Sequence, residues 1–477
     1  MARLLLSLFC LLIVPAAALA DERPNMLWIC VDDMSDWLGC YGDKTVETPS
    51  IDSLAAGGVR FDRAYMPAPV CSTTRSALMI GAMQTTYGLH QHRTMIKRPL
   101  PEGVTTVPEL LRKAGYTTFN EAKDDYNFLR DRADMYSPEF QRPGYKSHLP
   151  DRDLTWLKQL QGRKFFGQIQ LAGGKWGGET GRRYPATSRV KPADVTVPPQ
   201  YPDVPVFRNA IARHYEQIAH TDEQVGAIIT ALKKFGLWEN TVVFFFTDHG
   251  CPLPRSKQFL YEEGLKVPLI VHWPLGTKQL RKSGETRNDL VNGIDISATT
   301  LALAGIAIPP SMEGRDLFAQ KLQPPEFVVS ARDRLGIAVD RIRTIRTDRF
   351  RYIRNYQTDR ALFQPQYRQE YATFAALRKL LAQERLSPLQ ASYHQAEDRP
   401  SEELYDVSKD PHQLHNLAEE ERFQAALKQH RAYLKAWEDA TGDQGRVPES
   451  EASLELVFDH AKGKCFAPEF DFLKKME

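Results

Sequence analysis

Three stretches of the chain are apolar at nearly every position over the length of one strand: Asn25–Val31, Thr241–Thr247 and Val267–Trp273. A strand with one wet face alternates apolar and polar residues. Runs that do not alternate have the form of strands buried on both faces. Shorter patterns at Tyr116–Phe119 and Phe165–Leu171 predict further strands. Between them the period lengthens to that of helices. Thr48–Ala55 has Pro49 near its start and stops at Gly57-Gly58, Val107–Ala114 is amphipathic with Gly115 just past its end, and Tyr215–Lys234 predicts a long helix. Ile294 opens another that runs to Ala304. Residues 130–162 and 177–210 are rich in charge, Gly and Pro. They are expected to be surface loops forming the walls of a cleft.

Pro324-Pro325 marks a boundary. Beyond it Phe327–Ser330, Arg341–Arg346 and Arg349–Tyr352 predict strands, and a helix is expected from Ala418 to about residue 440. The chain divides accordingly into residues 1–20, 21–325 and 326–477. By the two-residue period Arg341 and Arg343 share one sheet face, and Arg349 and Arg351 share another. Two readings stay open for them: a solvated face, or a basic wall for an anionic polymer.

Composition narrows the class without naming it. The 477 residues suffice for a large core, and 26% charged residues are ordinary for a globular protein. A net charge of +2 gives no footprint for nucleic acid. Residues 1–20 read as a secretory signal: Arg3, the apolar run Leu4–Val14, and the small-residue site Ala18-Leu19-Ala20. No later run is long enough to span a bilayer, so an exported, membrane-free protein is expected. Cys10 leaves with the signal. Cys30, Cys40, Cys71, Cys251 and Cys465 show no CxxC spacing, and the sequence places no bridge among them.

The candidate chemistry lies where buried strands end. Asn25–Val31 ends in Asp32-Asp33, and Thr241–Thr247 ends in Asp248-His249. Paired acids after a buried strand are costly unless a partner such as a metal ion neutralises them. Ligands of open α/β sheets gather at the carboxyl ends of strands. Further on, Pro67-Ala68-Pro69-Val70 leads into Cys71-Ser72-Thr73-Thr74-Arg75 and a helix closed by Gly81. A cysteine at a helix start sits among free N–H groups at the positive end of the dipole, and Arg75 lies one turn later on the same face. Both features favour an anion there. His90 and His92 follow closely in Tyr87-Gly88-Leu89-His90-Gln91-His92-Arg93.

The order of these motifs resembles that of the type I sulfatases. Cys71 and Arg75 match the family's Cys-x-Pro-x-Arg signature, with Thr73 in place of its Pro or Ala. Lys257 lies before Leu260-Tyr261-Glu262-Glu263-Gly264, similar to a family segment, and Glu403-Leu404-Tyr405-Asp406 resembles its C-terminal subdomain. The resemblance implies an alkaline-phosphatase-like α/β sandwich, with a large, mostly parallel sheet and a small C-terminal subdomain. It implies that Cys71 is oxidised by a maturation enzyme to formylglycine, whose hydrate is the nucleophile. It also implies one divalent ion, usually Ca²⁺, held by Asp32, Asp33, Asp248, His249 and residue 71. Arg75 would steady the nucleophile, while Lys123 and Lys257 would bind sulfate. Asp125 and Lys175 stand where the family often has histidines, so they join His90 and His92 as candidate substrate-binding groups. The substrate implied is a sulfated carbohydrate. A phosphodiester or phosphonate hydrolase of the same fold, or a glycan binder with an unmatured Cys71, are the alternatives.

Overall fold

The computed structural model describes residues 23–140, 154–177, 189–276, 280 and 283–462. The expected signal at residues 1–20 and Cys465 lie outside them. Among the described residues, eight strands form one mixed sheet: β1 (Asn25–Val31), β2 (Val59–Tyr65), β3 (Thr117–Asn120), β4 (Phe165–Leu171), β5 (Thr241–Thr247), β6 (Lys266–His272), β7 (Glu285–Arg287) and β8 (Val291–Asn292). The spatial order is β8-β2-β6-β5-β1-β4-β3, with β7 also on β2. All pairs are parallel except those of β6, which runs antiparallel to both β2 and β5.

The apolar runs explain the two-faced core. Along β1, Leu27, Ile29 and Val31 join one hydrophobic cluster, and Met26, Trp28 and Cys30 join the other. In β5, Val243 and Phe245 go one way, Val242, Phe244 and Phe246 the other. The first face is covered by the helices Pro49–Gly57 and Pro205–Lys234, through Ile51, Ile211, Ile218 and Val225. The second is covered by the helices Cys71–Ile80, Val107–Lys113 and Asp295–Leu303. Trp28 crosses this interface and donates its indole N–H to Thr300 Oγ1 at 2.9 Å, so its one polar group is satisfied.

The long helix begins at Pro205, ten residues before its expected start. Proline is compatible with a first helical turn, where its missing N–H costs nothing. The expected cleft-wall loops are also partly core. Leu157, Leu160, Val190, Val195 and Tyr201 are buried against the first face. The cysteines Cys30, Cys40, Cys71 and Cys251 are all free thiols.

A second, antiparallel sheet follows in the order β9 (Phe327–Arg332), β10 (Ile342–Thr347), β11 (Phe350–Asn355), β12 (Glu402–Asp406). The helix Gln424–Thr441 lays Leu427 and Leu434 on Val329, Ile345, Tyr352 and Leu404. The same cluster contains Ala77 of the Cys71 helix, and β9 donates from Ala331 N to Pro67 O at 2.9 Å. The small sheet thereby braces the approach to Cys71.

Its inward-facing arginines form neither a solvated face nor a basic wall, while Arg349 is half exposed and pairs with Asp406. Arg343 and Arg351 are fully buried. Arg343 meets Asp443 and Asp333 at 2.8 and 3.1 Å. Glu262 takes both Arg351, at 2.6 Å, and Arg346, at 2.8 Å. Burial pushes the Glu262 carboxyl up, but Arg351 and Arg346 outweigh it and hold it at about 2, below its ordinary 4.5. The ion pair therefore stabilises the fold above about pH 4.5, and that contribution is lost as pH falls towards 2. Glu262→Gln, which leaves two buried guanidinium groups without a counter-charge, is expected to cost about 3 kcal/mol at neutral pH. Thermal unfolding should show the gap to wild type narrowing below pH 4.5; a gap independent of pH would refute the assignment.

Candidate active site

Register assembles the site. In the parallel pair of β1 and β5, Val31 lies opposite Thr247. The residues that follow each strand, Asp32-Asp33 and Asp248-His249, are therefore brought side by side. Asp248 N donates to Val31 O at 3.0 Å, and Asp33 N to Asp248 Oδ1 at 3.3 Å. Asp33 adopts a left-handed backbone, φ 55°, that turns its carboxylate inward. The chain after β4 closes in from the other side. A side chain at Gly173 would come within 2.1 Å of Asp32 O, and one at Gly174 within 2.0 Å of Asp33 O. Only glycines allow the approach that carries Lys175 to Asp32.

Ligand atoms of Asp32, Asp33, Asp248 and His249 lie within 4.8 Å of one another, as do those of Asp32, Cys71 and His249. All five residues are buried. His249 Nδ1 points at Gly250 O, 2.9 Å away. The other ring nitrogen, Nε2, has no hydrogen-bond partner and faces Asp33 Oδ1 at 3.2 Å, Asp248 Oδ1 at 3.4 Å and Asp32 Oδ1 at 4.0 Å. An imidazole lone pair converging with three carboxylate oxygens is a donor set for a cation. Hard oxygen ligands fit a divalent ion of the calcium or magnesium type.

Cations ring this cluster. Lys123 Nζ and Lys175 Nζ each donate to Asp32 Oδ2 at 2.6 Å, and Lys257 Nζ donates to both oxygens of Asp33 at 2.7 and 2.6 Å. Arg75, one turn after Cys71 on the helix Cys71–Ile80, donates from Nε to Asp248 Oδ2 at 2.9 Å and from Nη1 to Gln170 Oε1. Cys71 Sγ lies 3.9 Å from His92 Nε2 and donates to Asp125 Oδ2 at 3.6 Å.

These charges set one another. Burial raises the Asp32 carboxyl, but Lys123, Lys175 and Arg75 hold it well below the carboxylate range. Burial and the neighbouring Asp32 charge push Asp248 up. Burial disfavours the His249 imidazolium, yet Asp248 and Asp33 prevail and lift it to about 10. The cluster thus attracts positive charge at the point where the ring nitrogen and carboxylates meet. Burial also raises the Cys71 thiol, while Lys123 and Lys175 hold it well below its usual value. Burial draws His92 down to about 4.

Of the sequence-derived candidates, Asp32, Asp33, Cys71, Arg75, His92, Lys123, Asp125, Lys175, Asp248, His249 and Lys257 come together. His90 does not. It is buried on another side of its loop, against a separate cavity that it shares with Asn127, Gln444 and Glu449. Sequence reasoning missed three supports. Gln170 receives Arg75, Arg334 donates to His92 O at 3.0 Å, and Tyr367 stacks on the His92 ring with centroids 6.2 Å apart. Gln168 and Gln170, two amides in an otherwise apolar buried strand, were the available signal for the first.

A buried thiol at a helix start, two strand-end acid pairs and a surrounding set of cations, in this two-sheet sandwich, define a hydrolase with a metal-type centre. The family model for sulfatases matches residues 24–306, and the model for the C-terminal part of N-sulphoglucosamine sulphohydrolase matches residues 255–366. The chain belongs to the sulfatase family. An ulvan-active sulfatase of Formosa agariphila is 30% identical over 465 residues, covering 90% of this chain and 77% of the relative. Human N-sulphoglucosamine sulphohydrolase is 26% identical over 486 residues, covering 91% and 94%. In structure, a 2-O GAG sulfatase superposes with a TM-score of 0.62 at 21% identity over 91% of this chain and 96% of its own. A phosphonate monoester hydrolase of Agrobacterium radiobacter gives 0.63 at 17% over 88% and 96%. Among the described residues no helix is long and apolar enough to cross a membrane.

Proposed function

We propose that this protein is an exported sulfatase that hydrolyses sulfate esters of a sulfated carbohydrate, with residue 71 oxidised to formylglycine by a maturation enzyme. The observation that carries this reading is the position of Cys71. Its sulfur lies against the four-residue acid and imidazole cluster, with Lys123 and Lys175 close enough to govern its charge. A sulfate ester is anionic and repels an anionic nucleophile, so the chemistry needs this concentration of positive groups.

Asp32, Asp33, Asp248, His249 and residue 71 would hold one divalent ion, assigned as Ca²⁺. Bound there, it would supply a Lewis acid for a sulfate oxygen. The protein's own groups do the rest. Lys123, Lys175 and Lys257 hold the carboxylates in place and present N–H donors to the ester. Arg75 fixes Asp248 and Gln170 at the base of the site. His92 and Asp125, which touch the residue 71 side chain from the open side, are placed to meet the leaving oxygen. Sulfate release from an aryl sulfate and from sulfated oligosaccharides, measured beside phosphodiester turnover, tests the reading; faster phosphodiester turnover would overturn it.

Sugar hydroxyls leave poorly, so a proton donor counts for about 10²–10⁴-fold in rate. Drawn down to about 4, His92 is neutral at pH 7 and would help the leaving oxygen through its ring N–H rather than as an imidazolium, so His92→Ala is expected to lose part of that factor on a sulfated sugar and far less on an aryl sulfate, whose leaving group needs little protonation. His90→Ala should leave the ratio of the two rates unchanged. Equal ratios in all three proteins would remove His92 from this role.

A further inference from the structure

A cavity of about 490 Å³ opens on the reacting centre. His92 and Asp125, both in reach of Cys71 Sγ, lie at its inner end. Tyr367, Ile337, Met95 and Val457 give it an apolar lining on which a sugar ring can rest. Its charged groups differ in what they face. Arg334 is committed to Glu449 in a buried ion pair. Arg93 meets Asp125 at 3.3 Å, and Lys123 stands 3.9 Å from the same carboxylate. Asp125 thereby already has two cations. Lys97 lines the same cavity and has no ion pair or hydrogen bond among the described residues. It is half-buried: burial draws its ammonium down, and only the nearby Asp125 charge opposes this.

A partly desolvated cation without a counter-ion is costly to a fold. On the wall of a substrate cavity that cost is offset when an anion arrives. We propose that Lys97 binds a second anionic group of the substrate, a carboxylate or a sulfate, carried beyond the sulfate ester that lies at residue 71. The proposal rests on the sulfatase reading and narrows its substrate class. The preferred glycan carries at least two anionic groups within one or two sugar rings, and a sulfated neutral sugar is a poorer substrate.

The test uses the full-length matured protein and Lys97→Gln, which keeps the polar stem and removes the charge. The substrates are an aryl sulfate, a sulfated disaccharide containing a uronic acid, the same disaccharide with its carboxyl reduced, and one with a second sulfate in its place. Wild type should favour the doubly anionic disaccharides, and the better of the two identifies carboxylate or sulfate as the group bound. In Lys97→Gln the ratio of kcat/KM on that disaccharide to kcat/KM on the aryl sulfate should fall about 10- to 100-fold, the worth of one charged hydrogen bond. Lys97→Arg should recover part of the ratio. A wild type indifferent to carboxyl reduction and to the second sulfate, or an unchanged ratio in Lys97→Gln, overturns the proposal. Calorimetry with the better of those two disaccharides, prepared without the hydrolysable sulfate ester but with its second anionic group kept, decides it independently of turnover. Binding lost in Lys97→Gln supports Lys97; equal affinity, or no binding to wild type, refutes it. Failure of every sulfate ester to react would instead sink the sulfatase reading and leave that comparison intact.

Discussion

Cys71→Ala is expected to fold and to lose turnover by roughly 10⁶-fold, the scale of loss when a covalent nucleophile is removed. The fold should tolerate the change. Cys71 is buried in a small cluster with Val70 and Leu335, and alanine removes one sulfur from it. The helix keeps its other anchors, among them Thr73 Oγ1 to Val70 O at 3.0 Å and Thr74 Oγ1 to Ala68 O at 2.6 Å. A loss of activity with an unchanged melting temperature therefore reports chemistry. The state of residue 71 is read separately by mass spectrometry of the peptide spanning residues 64–75. A fully active preparation should carry the aldehyde. An unmodified thiol in such a preparation would remove formylglycine from the mechanism while leaving the metal-type cluster untouched.

Asp248→Asn should bring down activity and metal content together. Asp248 takes part in two functions at once: its Oδ1 faces His249 Nε2 at 3.4 Å, and its Oδ2 accepts from Arg75 Nε at 2.9 Å. The amide keeps the shape but removes the charge on which both depend. Elemental analysis should find about one divalent ion per wild-type chain, with calcium as the expected metal. Prolonged chelation should abolish turnover, and added metal should restore it in wild type far more than in the variant. Full activity in a verified metal-free sample would refute the assignment of the four-residue cage.

The elements that carry the site were legible because each is encoded locally. Asn25–Val31 and Thr241–Thr247 are strands with the bounds their apolar runs predict, and the helix Cys71–Ile80 stops at Gly81, whose φ is 63°. What the chain does not display is which strands become neighbours. The pairing of Val31 with Thr247 joins acids more than 200 positions apart, and nothing in either run states it. The choice between His90 and His92 was equally hidden. The residues are two apart in a loop, where no period fixes a direction, and Arg334 and Tyr367 from the second half decide which one faces residue 71. Arg343 and Arg351 looked like solvent-facing charges because their counter-ions, Asp443 and Glu262, lie about 90 to 100 positions away.

The helix Cys71–Ile80 is buried from end to end, with Cys71 itself only 1% exposed. That burial imposes an order in time. A protein catalyst cannot engulf residues 67–75 while the small sheet is hydrogen-bonded to Pro67 and Leu335 packs on Cys71. An enzyme that oxidised residue 71 would therefore have to act before the docking of β9, whose residues lie some 250 positions further along the chain. Any such modification would compete with folding for the same nascent segment. The lag between emergence of Cys71 and arrival of β9 would be the interval open to such an enzyme.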